Sequence, residues 1–129
     1  MFIKYNPNPL GNRVGDCVIR AISTAMNMEW DRVYVELAEK GLELKDMPSS
    51  NHVWASYLLD KGFHKEVIPD TCPDCYTVRE FCIDNPRGTF ILGTGSHAIA
   101  VINGDHYDLF NSADEVPIYY FRKENRYGV

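Results

Sequence analysis

Gly15-Asp16-Cys17-Val18-Ile19-Arg20-Ala21-Ile22 decides how this chain is read, because it sets a cysteine on the first turn of an amphipathic helix. Asp16 or Gly15 can cap that helix. Val18, Ile22, Ala25 and Met26 recur at the spacing of a buried stripe, which predicts a helix from about Cys17 to Met26. A thiol on a first turn lies beside backbone N–H groups that the helix leaves unpaired and at the positive end of its dipole. Both favour thiolate. Asp16 beside it would oppose thiolate, so its expected role is a cap pointing away from the sulfur. Arg20, one turn on, can offset it through an i,i+4 pair.

Working outward, residues 1 to 15 carry Asn6-Pro7-Asn8-Pro9 and read as an extended lead-in and loop. A second helix is expected from about Glu29 to Lys40, with Gly41 as its left-handed C-cap. A third starts at Ser49 or Ser50, carries Val53, Trp54, Tyr57 and Leu58, and stops at Gly62. Thr77-Val78-Arg79-Glu80 matches a capping box, so a fourth short helix opens there and ends before Pro86. The period then turns strand-like. Gly88–Leu92, Ala98–Ile102, Tyr107–Phe110 and Val116–Phe121 are strand candidates, with Asn103-Gly104 as a hairpin turn between the middle two. Helices first and an antiparallel sheet after give an α+β fold, expected as a single domain over 1–129.

Composition narrows the function classes. The 129 residues carry a net charge of −5 with no basic run, which argues against nucleic acid as a partner. No apolar segment reaches the ~20 residues a membrane crossing needs. Met1-Phe2-Ile3-Lys4-Tyr5-Asn6-Pro7 lacks the apolar stretch of a signal peptide. A cytoplasmic protein is therefore expected, with its four cysteines reduced unless metal-bound. Trp30, Tyr34, Trp54 and Tyr57 recur at helical spacing and are read as core.

Downstream of Cys17, Gly95-Ser96-His97-Ala98-Ile99-Ala100-Val101 puts a histidine at the start of an apolar run, behind small residues that leave room for a substrate backbone. The hairpin returns toward it through Tyr107-Asp108-Leu109-Phe110-Asn111. Cys, then His, then Asn or Asp is the minimum kit for thiol acyl-transfer chemistry. The third member depends on hairpin register. A two-residue loop at Asn103-Gly104 pairs Ile102 with Asp105 and puts His97 on the face of Asp108. A three-residue loop, Ile102-Asn103-Gly104, instead puts His97 with Tyr107, Leu109 and Asn111. It also gathers Ile99, Val101, Tyr107 and Leu109 on one apolar face, so Asn111 is expected over Asp108. The other histidines compete poorly: His52 and His64 fall in or just after a helix, and His106 in a solvent-facing turn.

Cys72-Pro73-Asp74-Cys75 is the rival signal. Its spacing is half a zinc knuckle that Cys82 and His64 could complete, with reduced surface thiols as the default reading. No other cofactor is expected.

A leading helix with Cys at its N-terminus, then a strand presenting His and a next strand presenting Asn, resembles the papain-like cysteine peptidase superfamily. The nearest likeness is to small papain-like proteins of bacteria and phages with a Gly-Asp-Cys-Val-x-Arg-Ala-Ile signature, here Gly15 to Ile22. It continues through Trp30-Asp31-Arg32-Val33-Tyr34, His97 to Val101, and Tyr107-Asp108 to Asn111. The resemblance implies Cys17 as nucleophile, His97 as general base and acid, and Asn111 as the residue orienting the imidazole. It implies a peptidase, isopeptidase or amidase working through a thioester acyl-enzyme, with a peptide, isopeptide or amide substrate, a protein among them. Papain-like enzymes usually carry a Gln shortly before the nucleophile to bind the oxyanion. This chain contains no Gln, and Asn12 is the nearest amide that could stand in, beside the Cys17 backbone N–H. That departure keeps two alternatives in view: an inert papain-like binding module, for example of a phage against a host protein, and an acyltransferase using the same three residues. Pocket walls are expected from the loops Lys4 to Val14 and Glu43 to Ser50.

Overall fold

Helix α1 (Cys17–Met26) forms where the apolar stripe predicts it, burying Ala21, Ile22 and Ala25. It stops at Asn27, whose left-handed backbone (φ 52°) turns its N–H back to the carbonyls of Ser23 and Thr24. Helix α2 (Trp30–Leu44) outruns its expected end by a turn, because Gly41 does not cap it. Gly41 is buried within the helix, and a Cβ there would come within 2.7 Å of the Asp46 carbonyl oxygen. The glycine admits the returning loop, and the left-handed cap falls to Lys45 (φ 57°). Helix α3 (Asn51–Asp60) follows Ser50 and buries Val53, Trp54, Tyr57 and Leu58. Helix α4 (Val78–Asp84) opens on the expected capping box. The Thr77 hydroxyl oxygen accepts from the Glu80 N–H, and the Glu80 carboxylate accepts from the Thr77 N–H.

The computed structural model describes residues 1–124; positions 125–129 of the expected domain lie outside the described residues. Its strands are β1 (Phe2–Lys4), β2 (Phe63–Val67), β3 (Thr89–Gly93), β4 (Ala98–Ile102), β5 (Asp105–Asp108) and β6 (Tyr119–Lys123), in one sheet of order β1-β5-β4-β3-β6-β2. The sheet is mixed, where an antiparallel one was expected, because β1 lies parallel to β5. The lead-in thus holds a strand, and so does the polar stretch after α3. His64 lies on β2, where it, Lys65, Glu66 and Val67 are exposed on an edge strand with too little apolar alternation to be read.

Helices α1 to α3 cover one face, packing Ile22, Leu37, Trp54 and Leu58 against Ile91, Ala98, Ala100 and Phe121. Helix α4 covers the other, with Val78, Phe81 and Cys82 against Phe90, Leu92, Ile99 and Val101. The architecture is α+β, with four helices and six strands among the described residues. Both sides of β4 are therefore buried, and that settles why apolar pattern misjudges the hairpin. Asn103 (φ 50°) and Gly104 (φ 81°) both take the left-handed backbone of a two-residue turn. Ile102 pairs with Asp105, Val101 with His106 and Ala100 with Tyr107. The expected three-residue loop is not formed, and its alternation is shifted by one. No described helix is long and apolar enough to cross a membrane.

Candidate functional site

Cys17 opens α1, and His97 is the residue just before β4, with its carbonyl accepting from Thr94 N–H at 3.0 Å. The two side chains line the same cleft, and His97 and the Ala98 backbone N–H both draw the Cys17 thiol toward its charged form. On the other side of the ring, His97 Nε2 lies 2.6 Å from Asp108 Oδ2. That leaves Nδ1 for Cys17. Asp108, only 3% exposed at the end of β5, is held on both oxygens: Oδ2 also accepts from Ser112 Oγ (2.9 Å), and Oδ1 from Leu109 N–H (2.8 Å). The Phe110 ring stacks on the imidazole with centroids 5.2 Å apart.

Burial on its own disfavours every charge in this series. For His97 it is outweighed by the hydrogen bonds to Asp108 and Cys17, which carry the ring up to about 10. Burial likewise pushes the Cys17 thiol up, but the His97 hydrogen bond, the Ala98 N–H and the charges of His97 and Arg20 bring it below its ordinary value. Burial would raise Asp108 too, and the His97 hydrogen bond and charge hold it below the usual carboxylate range. His97 is thus held as imidazolium and Asp108 as carboxylate near neutral pH, and the Cys17 thiol is biased toward thiolate.

Asp16 does not cap α1, contrary to expectation. Its carboxylate forms the expected i,i+4 ion pair with Arg20 and accepts from the Trp30 indole N–H at 2.9 Å. The first-turn N–H groups beside Cys17 are thus left without a side-chain cap, facing a cleft of about 700 Å³. Val18, Tyr34, Leu37 and Trp54 give this cleft an apolar wall, while Gly95, Ser96 and His97 form its far lip. Pro48 and Ser49–Ser50 line it as the loop reading expects, but no residue of the Lys4 to Val14 loop does.

Asn111 is not the partner of His97. The two-residue turn brings Asp108 there, and Asn111 Oδ1 lies 3.3 Å from His106 Nε2 and accepts from Ala113 N–H at 3.0 Å. His106 is not in solvent either: it is 3% exposed, with Nδ1 3.9 Å from Cys82 Sγ. Asn12 is exposed, outside the cleft lining, and its carbonyl accepts from Asn6 Nδ2, so its amide is no neighbour of the thiol. The four zinc candidates are dispersed. Cys72 and Cys75 form a disulfide where reduced thiols were expected, His64 Nε2 lies 3.1 Å from Glu124 on the sheet edge, and Cys82 is on the buried face of α4. Among the described residues no three His, Cys, Asp or Glu side chains are grouped to hold a metal.

Sequence reasoning missed the contacts of Trp30, Phe110 and Ser112. Each reaches its partner only once helix and sheet are assembled, so no local signal marks it. Compared with protein-family models, curated proteins and solved structures, the chain has no match.

Proposed function

We propose that this protein is a papain-like, cysteine-dependent hydrolase that cleaves a peptide, isopeptide or amide bond through Cys17, His97 and Asp108. The observation that carries the reading is His97 Nε2 at 2.6 Å from Asp108 Oδ2, with Cys17 and His97 lining the same cleft. Asp108 takes the orienting role that the resemblance gave to Asn111.

The Cys17 thiolate attacks the carbonyl carbon, and the C=O π electrons move to oxygen. The Cys17 backbone N–H, on the uncapped first turn of α1, donates to that oxyanion. As the tetrahedral adduct collapses, the C–N bond breaks and the amine leaves with the proton from His97 Nδ1, giving a thioester. With the sulfur acylated, the ring has lost one of the partners that held its proton. Neutral His97 then takes a proton from water, hydroxyl adds to the thioester, and the acid departs as Cys17 returns to thiolate. An oxyanion site one donor short typically turns over ~10²–10³ more slowly, so slow hydrolysis is expected.

The position of Asn12 outside the cleft favours one competing reading, an inert binding module on the same fold. Iodoacetamide alkylation with mass-spectrometric mapping, followed by intact-mass detection of acyl-Cys17 after incubation with peptidyl and isopeptidyl coumarin amides, separates the two. Fast labelling of Cys17 at pH 6 and a thioester absent from Cys17→Ala support the hydrolase. Fast labelling with neither thioester nor coumarin release supports the inert module. A Cys17 no more reactive than an ordinary thiol overturns the site itself. An added amine that diverts the acyl group from water would identify acyl transfer.

A further inference from the structure

Two carboxylates are buried near the thiol, Asp16 at 5% exposure and Asp108 at 3%, and one buried cation, Arg20, stands between them. Buried carboxylates stay charged only where partners replace water. Arg20 Nη1 pairs with Asp16 Oδ1 one turn back and reaches the Val14 carbonyl at 3.4 Å. Nη2 reaches across to the end of β5, 3.5 Å from Asp108 Oδ1. Asp16 is itself pinned by Trp30 on α2. Charge therefore alternates through Asp16, Arg20, Asp108, His97 and Cys17, a circuit that begins and ends on adjacent residues of the chain. The helix that carries the nucleophile also carries the cation that grips the third member.

We infer that Arg20 is a positioning residue for the proposed reaction: anchored by Asp16, its guanidinium fixes the Asp108 carboxylate so that Oδ2 meets His97. The inference rests on the hydrolase reading of this site. Position and charge predict opposite results for the ring. If Arg20 acted only as a nearby positive charge, removing it would make His97 hold its proton more tightly. If it positions Asp108, removing it leaves the carboxylate to the Ser112 hydroxyl and Leu109 N–H alone. Oδ2 then draws away from the ring, the 2.6 Å hydrogen bond lengthens, and His97 falls toward its ordinary value. Lysine keeps the charge but is a single point with no fork to span two carboxylates.

The test is an NMR titration of His97 in the wild type, Arg20→Lys, Arg20→Met and Asp108→Asn, with the Cys17 alkylation rate at pH 6 and a urea midpoint for each. Positioning predicts that Arg20→Lys folds, that its His97 titrates at least about one unit lower than wild type, and that alkylation slows about tenfold. Asp108→Asn should move both readouts in the same direction and further. If Arg20→Met does not fold, Arg20→Lys decides alone. A wild type in which His97 is raised, with Arg20 variants whose His97 is unmoved or higher while only the urea midpoint drops, overturns the inference about Arg20 alone. A wild type in which His97 titrates in the ordinary range and Cys17 is unreactive at pH 6 overturns the inference together with the reading beneath it.

Discussion

Two cysteine–histidine pairs are built into this fold, one against each face of the sheet, and they are electrostatic opposites. Cys17 packs with the cluster under α1 to α3 and faces His97, whose far nitrogen meets the carboxylate of Asp108. Cys82, on the buried face of α4, faces His106, whose far nitrogen meets the amide oxygen of Asn111. Burial pushes Cys82 up and His106 down, leaving a neutral thiol beside a neutral ring. The same burial acts on Cys17 and His97 but is overcome. Two differences account for it. Cys17 sits on the first turn of its helix, beside free N–H groups, whereas Cys82 is in the closing half of α4, away from the positive end. The third residue is a charge in one cluster and a dipole in the other, and only the charge offsets the cost of a buried imidazolium. Proximity of a thiol and an imidazole is not enough to make an ion pair.

Reactivity is the largest contrast on which this comparison can break. At pH 6 an ordinary thiol of pKa near 8.5 is ionised at a few parts per thousand. With Cys17 lowered and Cys82 raised, iodoacetamide should modify Cys17 at least about tenfold faster than Cys82, and His97→Ala should remove most of that advantage. Equal rates, or a Cys17 rate indifferent to His97→Ala, would dissolve the distinction.

Proton linkage gives the next effect. His97, raised to about 10, contributes stability that is complete below its unfolded value near 6.5 and is lost as pH climbs toward 10. Cys17, lowered, contributes stability that is present above its unfolded value and lost as pH falls through its folded one. Above both the unfolded histidine value near 6.5 and the lowered Cys17 value, and below about 8.5, the two cancel, because folded thiolate–imidazolium and unfolded thiol–imidazole bind the same number of protons. This pair should leave wild-type stability level across that window. Cys17→Ala removes the compensation, and urea denaturation should find its stability falling with pH relative to wild type, at no more than about 1.4 kcal/mol per pH unit. The fall continues only up to the lower pH at which His97, now held by Asp108 without Cys17, gives up its proton. The pair around Cys82 is neutral in both states at these pH values, so Cys82→Ala should leave the pH profile parallel to wild type.

Exchanging the third residues probes the cause more gently. Asp108→Asn should lower the His97 titration by at least about one unit and slow Cys17 alkylation at pH 6 about tenfold. Asn111→Asp is the reciprocal and smallest effect: it should raise His106 by about one unit, read by the same NMR titration. A His106 that does not move would show that helix position, not the third residue, separates the two clusters.

Helix starts and the placing of Cys17 on a first turn were legible because they are local. The Cys17 helix follows from an apolar stripe, and α4 from a box that Thr77 and Glu80 close within four residues. The strand Ala98–Ile102 and the adjacency of Cys17 and His97 were likewise readable. The third member was not. Apolar pattern fixes register only where polar residues face water, yet β4 is covered on both sides, and His106 and Asp108 on β5 are both buried. The local turn signal, Asn103-Gly104, pointed to the right register and was overruled by a pattern that a doubly covered strand does not carry.

The chain by itself determined an α+β order of elements, a thiol on a helix N-terminus and a histidine entering a strand, since each rests on contacts within a few residues. Only the tertiary structure decided that Asp108 and not Asn111 meets His97, that Arg20 and Trp30 join the site, and that His106 is withdrawn from solvent. Those outcomes depend on strand register and on helices closing over both faces of a sheet. Register and closure are fixed by the summed packing of distant segments, which no short stretch of sequence carries alone.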